Sequence, residues 1–307
     1  MSTRALIVDP SAPGGIAFGE LPDPVAGPGQ LTVEVLHASL NYADLNNALS
    51  GRNPVGSPLG LDAAGIVVRA AADGTGPAAG TRVVLFADGA FAERVAVDVS
   101  AVAEVPEGVG LAEAAALPTA GLAALRSLRG AGLTPGKRVL VTGASGGVGR
   151  YAVRLASLAG AHVIASVGSP ARGEGLAAAG ADEVVVGLAD VKEPVDIVVE
   201  TVGGPHLVTA WRLLAAGGSL QSVGWTSAEP AVFPPYATVG PPKTLTSYVN
   251  DFGAADDLAE LVRLTAEGAL APEIGWRGPW ERFAEAADAL RGRRVAGKAV
   301  FDLRPGA

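Results

Sequence analysis

The chain has 307 residues, a formal net charge of −8 at neutral pH, 49% hydrophobic and 18% charged residues, and no cysteine. Its length suits two domains of ordinary size, and its composition is globular rather than disordered. The acidic balance argues against nucleic acid or an anionic membrane as partner, and the missing thiols exclude disulfides, thiolate metal sites and a cysteine nucleophile.

The opening MSTRALIVDPSAPGG lacks the basic-then-apolar pattern of a secretory leader, and no apolar run is long enough to span a bilayer. The expectation is a soluble, cytoplasmic protein acting on a small molecule. Residues 3–8 and 31–37 run apolar or alternate with β-branched residues and read as strands. Gly/Pro-rich turns occupy 10–15 and 22–29, and further strands are expected at 64–70, 81–86 and 91–97. The first hundred residues therefore predict a small, mostly β domain.

The pattern changes near residue 111, where LAEAAALPTAGLAALRSLRGAG is helical and alanine-rich. Alternation follows: strand 138–142, helix 147–159, strand 161–166, helix 172–179, strands 183–186 and 195–200, helix 205–215 and strand 218–223. Such alternation predicts a doubly wound parallel sheet with helices on both faces. The proline-rich 229–243 reads as a loop and 243–250 as another strand. Residues 256–268 form an amphipathic helix with a glycine stop. A last helix at 280–293 and a strand at 297–303 suggest that the tail returns to the first domain.

VLVTGASGGVG at 139–149 is the most informative segment. A buried-type strand runs through Gly143, Ser145, Gly146, Gly147, Val148 and Gly149 into a helix. Gly143 permits a tight turn, Gly146 and Gly147 let a pyrophosphate approach the backbone, and Gly149 lets helix and strand pack closely. The helix start then offers amides and a positive dipole end to phosphate. The ribose acceptor is expected at the end of the next strand. A site preferring NADH usually has a carboxylate there; this chain has Ser166 and Ser169, with Arg172 close behind. Those three could bind a 2′-phosphate by charge-assisted hydrogen bonds, favouring NADPH. The alternative is that Arg172 is a solvated residue at a helix start. A short-chain dehydrogenase would need Tyr-x-x-x-Lys, and none of the four tyrosines has a lysine four residues later.

Taken together, the segments at 41–67, 89–109, 116–128, 143–166, 195–204, 217–225 and 293–303 resemble the medium-chain dehydrogenase/reductase family over nearly the whole chain. The resemblance implies a GroES-like catalytic domain from 1–115 plus 270–307 and a Rossmann domain from 116–269. Zinc enzymes of that family place a Cys where Asn41 sits and a His–Glu pair where Leu61–Asp62 sits. None of their thiolate or imidazole ligands is present, and the three histidines (His37, His162, His206) are scattered. His37 and His162 fall in expected strands as structural residues, and His206 at a helix start. The resemblance thus points to the zinc-free branch of quinone oxidoreductases and enoyl reductases, with no metal site.

Both activities deliver hydride from NADPH to an acceptor whose developing charge delocalises onto oxygen. Asn41 matches the family's asparagine near the nicotinamide and either polarises an acceptor carbonyl or simply holds a turn. Many relatives carry tyrosines at the positions of Asn46 and Asn53; asparagine is a poor proton donor, and Tyr42 is the nearby substitute. The family's threonine aligns with Ala123, so the contact falls to Thr119 or is missing. Motif position adds Gly203 and Gly204, Val223 and Gly224, and Lys298 as cofactor candidates. Glu200 stands where relatives often have Asp, and the alternative is a helix-cap or hinge role. The aromatic residues Trp225, Phe233, Tyr236 and Tyr248 could line a cleft, a dimer contact or the core. The leading expectation is an NADPH-dependent reductase of a quinone or enone. A biosynthetic enoyl-thioester reductase and a non-catalytic NADPH-binding protein are the alternatives, and a homodimer is expected through the 243–250 strand.

Overall fold

A computed structural model describes residues 2–51, 53–251 and 253–304. The chain divides into two compact units, one formed by 1–122 with 251–307 and the other by 123–250. The strands of the first unit are β1 (Ser2–Val8), β2 (Ile16–Pro22), β3 (Gln30–Leu40), β4 (Asp62–Arg69), β5 (Arg82–Phe86), β6 (Arg94–Asp98) and β7 (Val102–Glu104). Those of the second are β8 (Arg138–Val141), β9 (His162–Val167), β10 (Glu183–Val186), β11 (Val195–Glu200), β12 (Leu214–Ser222) and β13 (Thr244–Ser247). The tail adds β14 (Ile274–Pro279) and β15 (Lys298–Asp302) to the first unit. The helices are α1 (Tyr42–Leu49), α2 (Leu111–Ala115), α3 (Pro118–Gly130), α4 (Gly147–Leu158), α5 (Gly204–Leu213), α6 (Ala255–Ala266) and α7 (Phe283–Arg291).

In the first unit β1 and β2 form an antiparallel hairpin, and a larger sheet runs β14-β15-β3-β4-β5-β7, with β6 also on β3. The long β3 shifts register at Thr32/Val33 and Val35/His37, and it pairs with β6 over its first residues. One face of this sheet is apolar and buried, as alternate positions such as Val33, Val35, Val83 and Leu85 require. Phe301 sits at its centre, edge-on to Phe91 and Trp276 at 5.7 Å. The sheet's other face carries the polar residues described below.

The second unit is a six-stranded sheet ordered β10-β9-β8-β11-β12-β13, with every pairing parallel. Its strand order reverses between β8 and β11. Ligands of doubly wound sheets bind at that switch point, outside the carboxyl ends of the strands. β13 is an edge strand whose four residues are all exposed, so the homodimer expected of this segment would have to form there. No helix among the described residues is long and apolar enough to cross a membrane.

The observed elements correct several expectations. The helix expected at 172–179 is a short turn at Pro170–Gly173, because Gly175 and Gly180 adopt positive φ and break it. The alanine-rich segment splits into α2 and α3 at Pro118. The expected domain limits at 115/116 and 269/270 lie at 122/123 and 250/251 instead. The reason for the second is α6, which belongs to the first unit and whose lead-in Ala254 N donates to Ser100 O at 2.9 Å. Two of the three histidines lie where strand patterning puts them: buried His37 pairs with Asp302 at 2.9 Å and His162 with Glu183 at 2.6 Å, while His206 lies in α5.

Candidate active site

In the second unit a tight turn follows β8. Gly143 has φ 59°, and Gly146 N donates back to Gly143 O at 3.0 Å. Gly146 caps α4, whose first helical bond is Arg150 N to Gly146 O. The amides of Gly147, Val148 and Gly149 therefore precede the helix ladder and point outward with the dipole. Gly149 sits against backbone: a Cβ there would lie 2.5 Å from Gly143 O and 2.6 Å from Ala144 Cα.

Arg172 reaches back to this turn, its Nε donating to Ser145 Oγ at 2.9 Å. Ser169 is half-buried one turn earlier and accepts Arg172 N through its carbonyl. Ser166, by contrast, is buried and donates its hydroxyl proton to Gly187 O at 2.8 Å. In this geometry that proton is committed within the chain and is not offered to a phosphate.

The turn after β11 is clamped by Glu200, which is buried. Its Oε1 accepts from Thr142 Oγ1 and Val202 N, and its Oε2 accepts from Gly203 N at 2.8 Å. Burial raises its carboxyl above the ordinary range despite those bonds. The amides of Val223 and Gly224 also donate inward, to the Glu200 carbonyl. So Gly203, Val223 and Gly224 offer conformation and close approach here, rather than free amides. The four aromatics do not form one cluster: Phe233 packs edge-on to Trp211 at 6.1 Å, Tyr236 is exposed, and Tyr248 bonds Asn250.

The first unit holds a buried polar cluster on one sheet face. Lys298, 3% exposed, places its ammonium 3.2 Å from Asp62 Oδ2, with Asp62 fully buried. The same ammonium bonds Asn41 Oδ1 and approaches Leu40 O at 3.5 Å. Asn41 Nδ2 donates to Asp62 Oδ2 at 2.9 Å and to Ser39 O at 3.4 Å. Asp62 Oδ1 accepts from Thr119 N at 2.9 Å and from the Thr119 hydroxyl. A carboxylate at the start of α3 is favourably placed against the helix dipole. Asn41 precedes α1, and its N–H donates to Asp44 Oδ2 at 2.7 Å. Both ends of the Asn41 amide and the Lys298 ammonium are thus engaged inside this unit. Tyr42, the first residue of α1, is half-buried beside them.

Asp44 and Asp62 are the members that motif reading passed over. The signals were present: Asn41-x-x-Asp44 has the spacing of a helix-capping pair. Asp62 and Lys298 are opposite charges that each open a strand whose next residues are apolar, and they need each other once buried. Burial, and then the Asp62 carboxylate, push the Asp44 carboxyl up to about 7. The unfolded value is near ~3.9, so the protonated carboxyl's stability is complete below about pH 4 and is lost as pH rises through about 7. Asp44→Asn keeps an oxygen for the Asn41 N–H and removes the ionisation. Its stability advantage over wild type, measured in urea, should grow between about pH 4 and 7 and level off above. An advantage that stays flat across that range contradicts the assignment.

Comparison with known proteins agrees with both halves. Residues 27–107 match the model of the alcohol dehydrogenase GroES-like domain, and residues 179–301 match that of the zinc-binding dehydrogenase. Prostaglandin reductase-3 of Bos taurus is 31% identical over 93% of this chain and 84% of its own length. Erythronolide synthase EryA2 of Saccharopolyspora erythraea is 35% identical over 75% of this chain, which spans 7% of that synthase. The structure of the quinone oxidoreductase from Coxiella burnetii superimposes with a TM-score of 0.88 and 26% identity, covering 99% of this chain and 100% of that one. The second family's description names zinc, but the residues do not suit that ion. Asn41 and Leu61 bring no thiolate or imidazole, and Asp62 is already paired with Lys298. Among the described residues no three or more His, Cys, Asp or Glu stand together as a metal site requires.

Proposed function

The chain belongs to the medium-chain dehydrogenase/reductase family, and we propose that within it the chain is an NADPH-dependent reductase of a quinone or enone that uses no zinc. The observation that carries the cofactor choice is the Arg172 guanidinium folded onto Ser145 of the phosphate-binding turn. No carboxylate stands at the end of β9, where Ser166, Val167, Gly168 and Ser169 follow one another. A 2′-phosphate meets a fixed cation there and no repulsion.

The residues fit a dinucleotide. The amides of Gly147, Val148 and Gly149 would hold the pyrophosphate, Gly143 and Gly146 would let it approach, and Arg172 with Ser169 would take the 2′-phosphate. When bound, the reduced nicotinamide supplies hydride to the acceptor. In the first unit, the Lys298–Asp62 pair fixes the amide of Asn41 and the hydroxyl of Thr119 in single orientations. Asn46 and Asn53 carry no acidic proton, so a product protonated on oxygen by water suits the chain better than one protonated on carbon. That favours a quinone. Reduction of an enoyl thioester is the second reading, supported by the similarity to part of a polyketide synthase.

Arg172→Ala tests the cofactor assignment. It should weaken NADPH by roughly 10- to 150-fold, the loss of a charged hydrogen bond of about 1.5–3 kcal/mol, and leave NADH nearly unchanged. Titration of both cofactors by fluorescence reads the difference. Equal losses would remove Arg172 from the 2′-phosphate site. Enzyme-dependent bleaching of the NADPH absorbance band on adding a quinone tests the reaction.

A further inference from the structure

Among the large apolar side chains that the second unit exposes, Trp225 has its polar atom bonded and its ring packed on a glycine. It is 45% exposed, yet its indole N–H donates to Glu229 O at 2.6 Å. Its five-membered ring lies over Gly203: a Cβ at that glycine would stand 2.6–2.8 Å from Cδ2, Cγ and Cδ1. Gly203 is itself immobilised, with φ 76° and its amide on Glu200 Oε2. The loop behind the indole is stitched to the same turn, Ser227 N donating to Val202 O at 2.8 Å and Thr226 Oγ1 to Thr201 O at 3.2 Å. It also stores strain, because Ala228, a non-glycine residue, sits at φ 58°. Backbone strain of that kind persists where the surroundings over-determine it, and it concentrates where ligands are clamped.

The position is telling. Gly143 of the phosphate turn packs on Thr201 Oγ1, and Gly224 packs on the other side of the same residue, against its backbone. Trp225 follows directly, so the indole stands at the carboxyl edge of β11 and β12, beside the switch point between β8 and β11. The proposed dinucleotide would be held there by its phosphates. A neutral conjugated acceptor has no charge for the amides of the turn to hold, and it needs an apolar, flat surface.

We propose that Trp225 is the stacking platform for a planar aromatic acceptor, a quinone with a fused or substituted ring. This rests on the reductase reading and narrows it to that substrate class. An indole fixed on one side by Gly203 loses little freedom on binding, so most of the stacking contact appears as affinity.

The test is calorimetric or equilibrium-dialysis binding of 1,4-naphthoquinone, of an aliphatic enone, and of NADPH, to wild type, Trp225→Phe and Trp225→Ala. Aromatic stacking on a protein side chain is lost to the extent of roughly 5- to 150-fold on truncation to alanine. The expected result is a loss of naphthoquinone affinity in that range for Trp225→Ala. A smaller loss is expected for Trp225→Phe, with NADPH and the aliphatic enone within about threefold of wild type. Unchanged naphthoquinone affinity, or equal losses for all three ligands, overturns the proposal. Naphthoquinone binding that depends on Trp225 without any NADPH turnover would keep the platform and overturn the reductase reading, so the two failures are distinct. If Trp225→Ala does not fold, Trp225→Phe with its intermediate loss carries the decision.

Discussion

Gly149→Ala is expected to abolish useful binding of the proposed NADPH. The added methyl would meet Gly143 O at 2.5 Å, Ala144 Cα at 2.6 Å and Ala144 C at 2.8 Å, all backbone atoms of the turn itself. No rotamer relieves such a contact, so the turn must move away from α4. The amides of Gly147 and Val148 then lose their common aim. Overpacking of this kind costs about 1–3 kcal/mol in stability. The loss of two or more charged hydrogen bonds to phosphate, about 1.5 kcal/mol or more each, corresponds to at least ~150-fold in affinity. Gly108→Ala is the matched control, since nothing lies within 4 Å of its added methyl. Affinity measured for both variants, beside their unfolding midpoints, separates a local from a global effect. NADPH binding retained within a few-fold in Gly149→Ala would mean that the cofactor is held elsewhere.

Lys298→Met is expected to destabilise the chain by about 3–5 kcal/mol, the usual consequence of stranding one buried charge. Asp62 is fully buried, and its carboxylate would keep Thr119 and Asn41 Nδ2 but no cation, with Asp44 close enough to repel it. The double variant Lys298→Met with Asp62→Leu should recover much of the loss, because neither charge is then left alone. That recovery distinguishes a true pair from two independent contacts. It would come with loss of turnover, since Thr119 and Asn41 lose the groups that orient them. Urea midpoints with unchanged slope give the energies. A loss below about 1 kcal/mol in Lys298→Met would show the pair to be solvated and dispensable.

Much of the fold was legible because the periodicities were clean. The parallel strands β8, β9 and β11 are short apolar runs, and the glycines at 143, 146, 147 and 149 announce the turn between strand and helix. What escaped had weaker local signals. β2 is only partly buried and contains Gly19 and Pro22, so its alternation is faint. α1 is eight residues long, and its boundary is set by Asn41 and Asp44 rather than by an apolar stripe. α6 has a strong helical pattern, but which unit it joins depends on a tertiary contact with Ser100. The same division holds in the site. Motif spacing placed Arg172 and Ser145 in one neighbourhood, whereas nothing local reveals that Ser166 turns to Gly187. The pairing of Lys298 with Asp62 joins strands 236 positions apart in sequence, and only the sheet brings them together. From sequence Asn41 reads as either a catalytic amide or a turn residue; the structure engages both ends of its amide, with Lys298 and Asp62.

Steady-state oxidation of NADPH, with NADH in parallel, across quinones, enones and enoyl thioesters decides whether the chain is the proposed reductase. Enzyme-dependent oxidation of NADPH by quinones is expected, with NADPH well ahead of NADH and no requirement for added zinc. NADPH that binds but is oxidised by no acceptor of these classes, or NADH preferred over NADPH with every one of them, would contradict it.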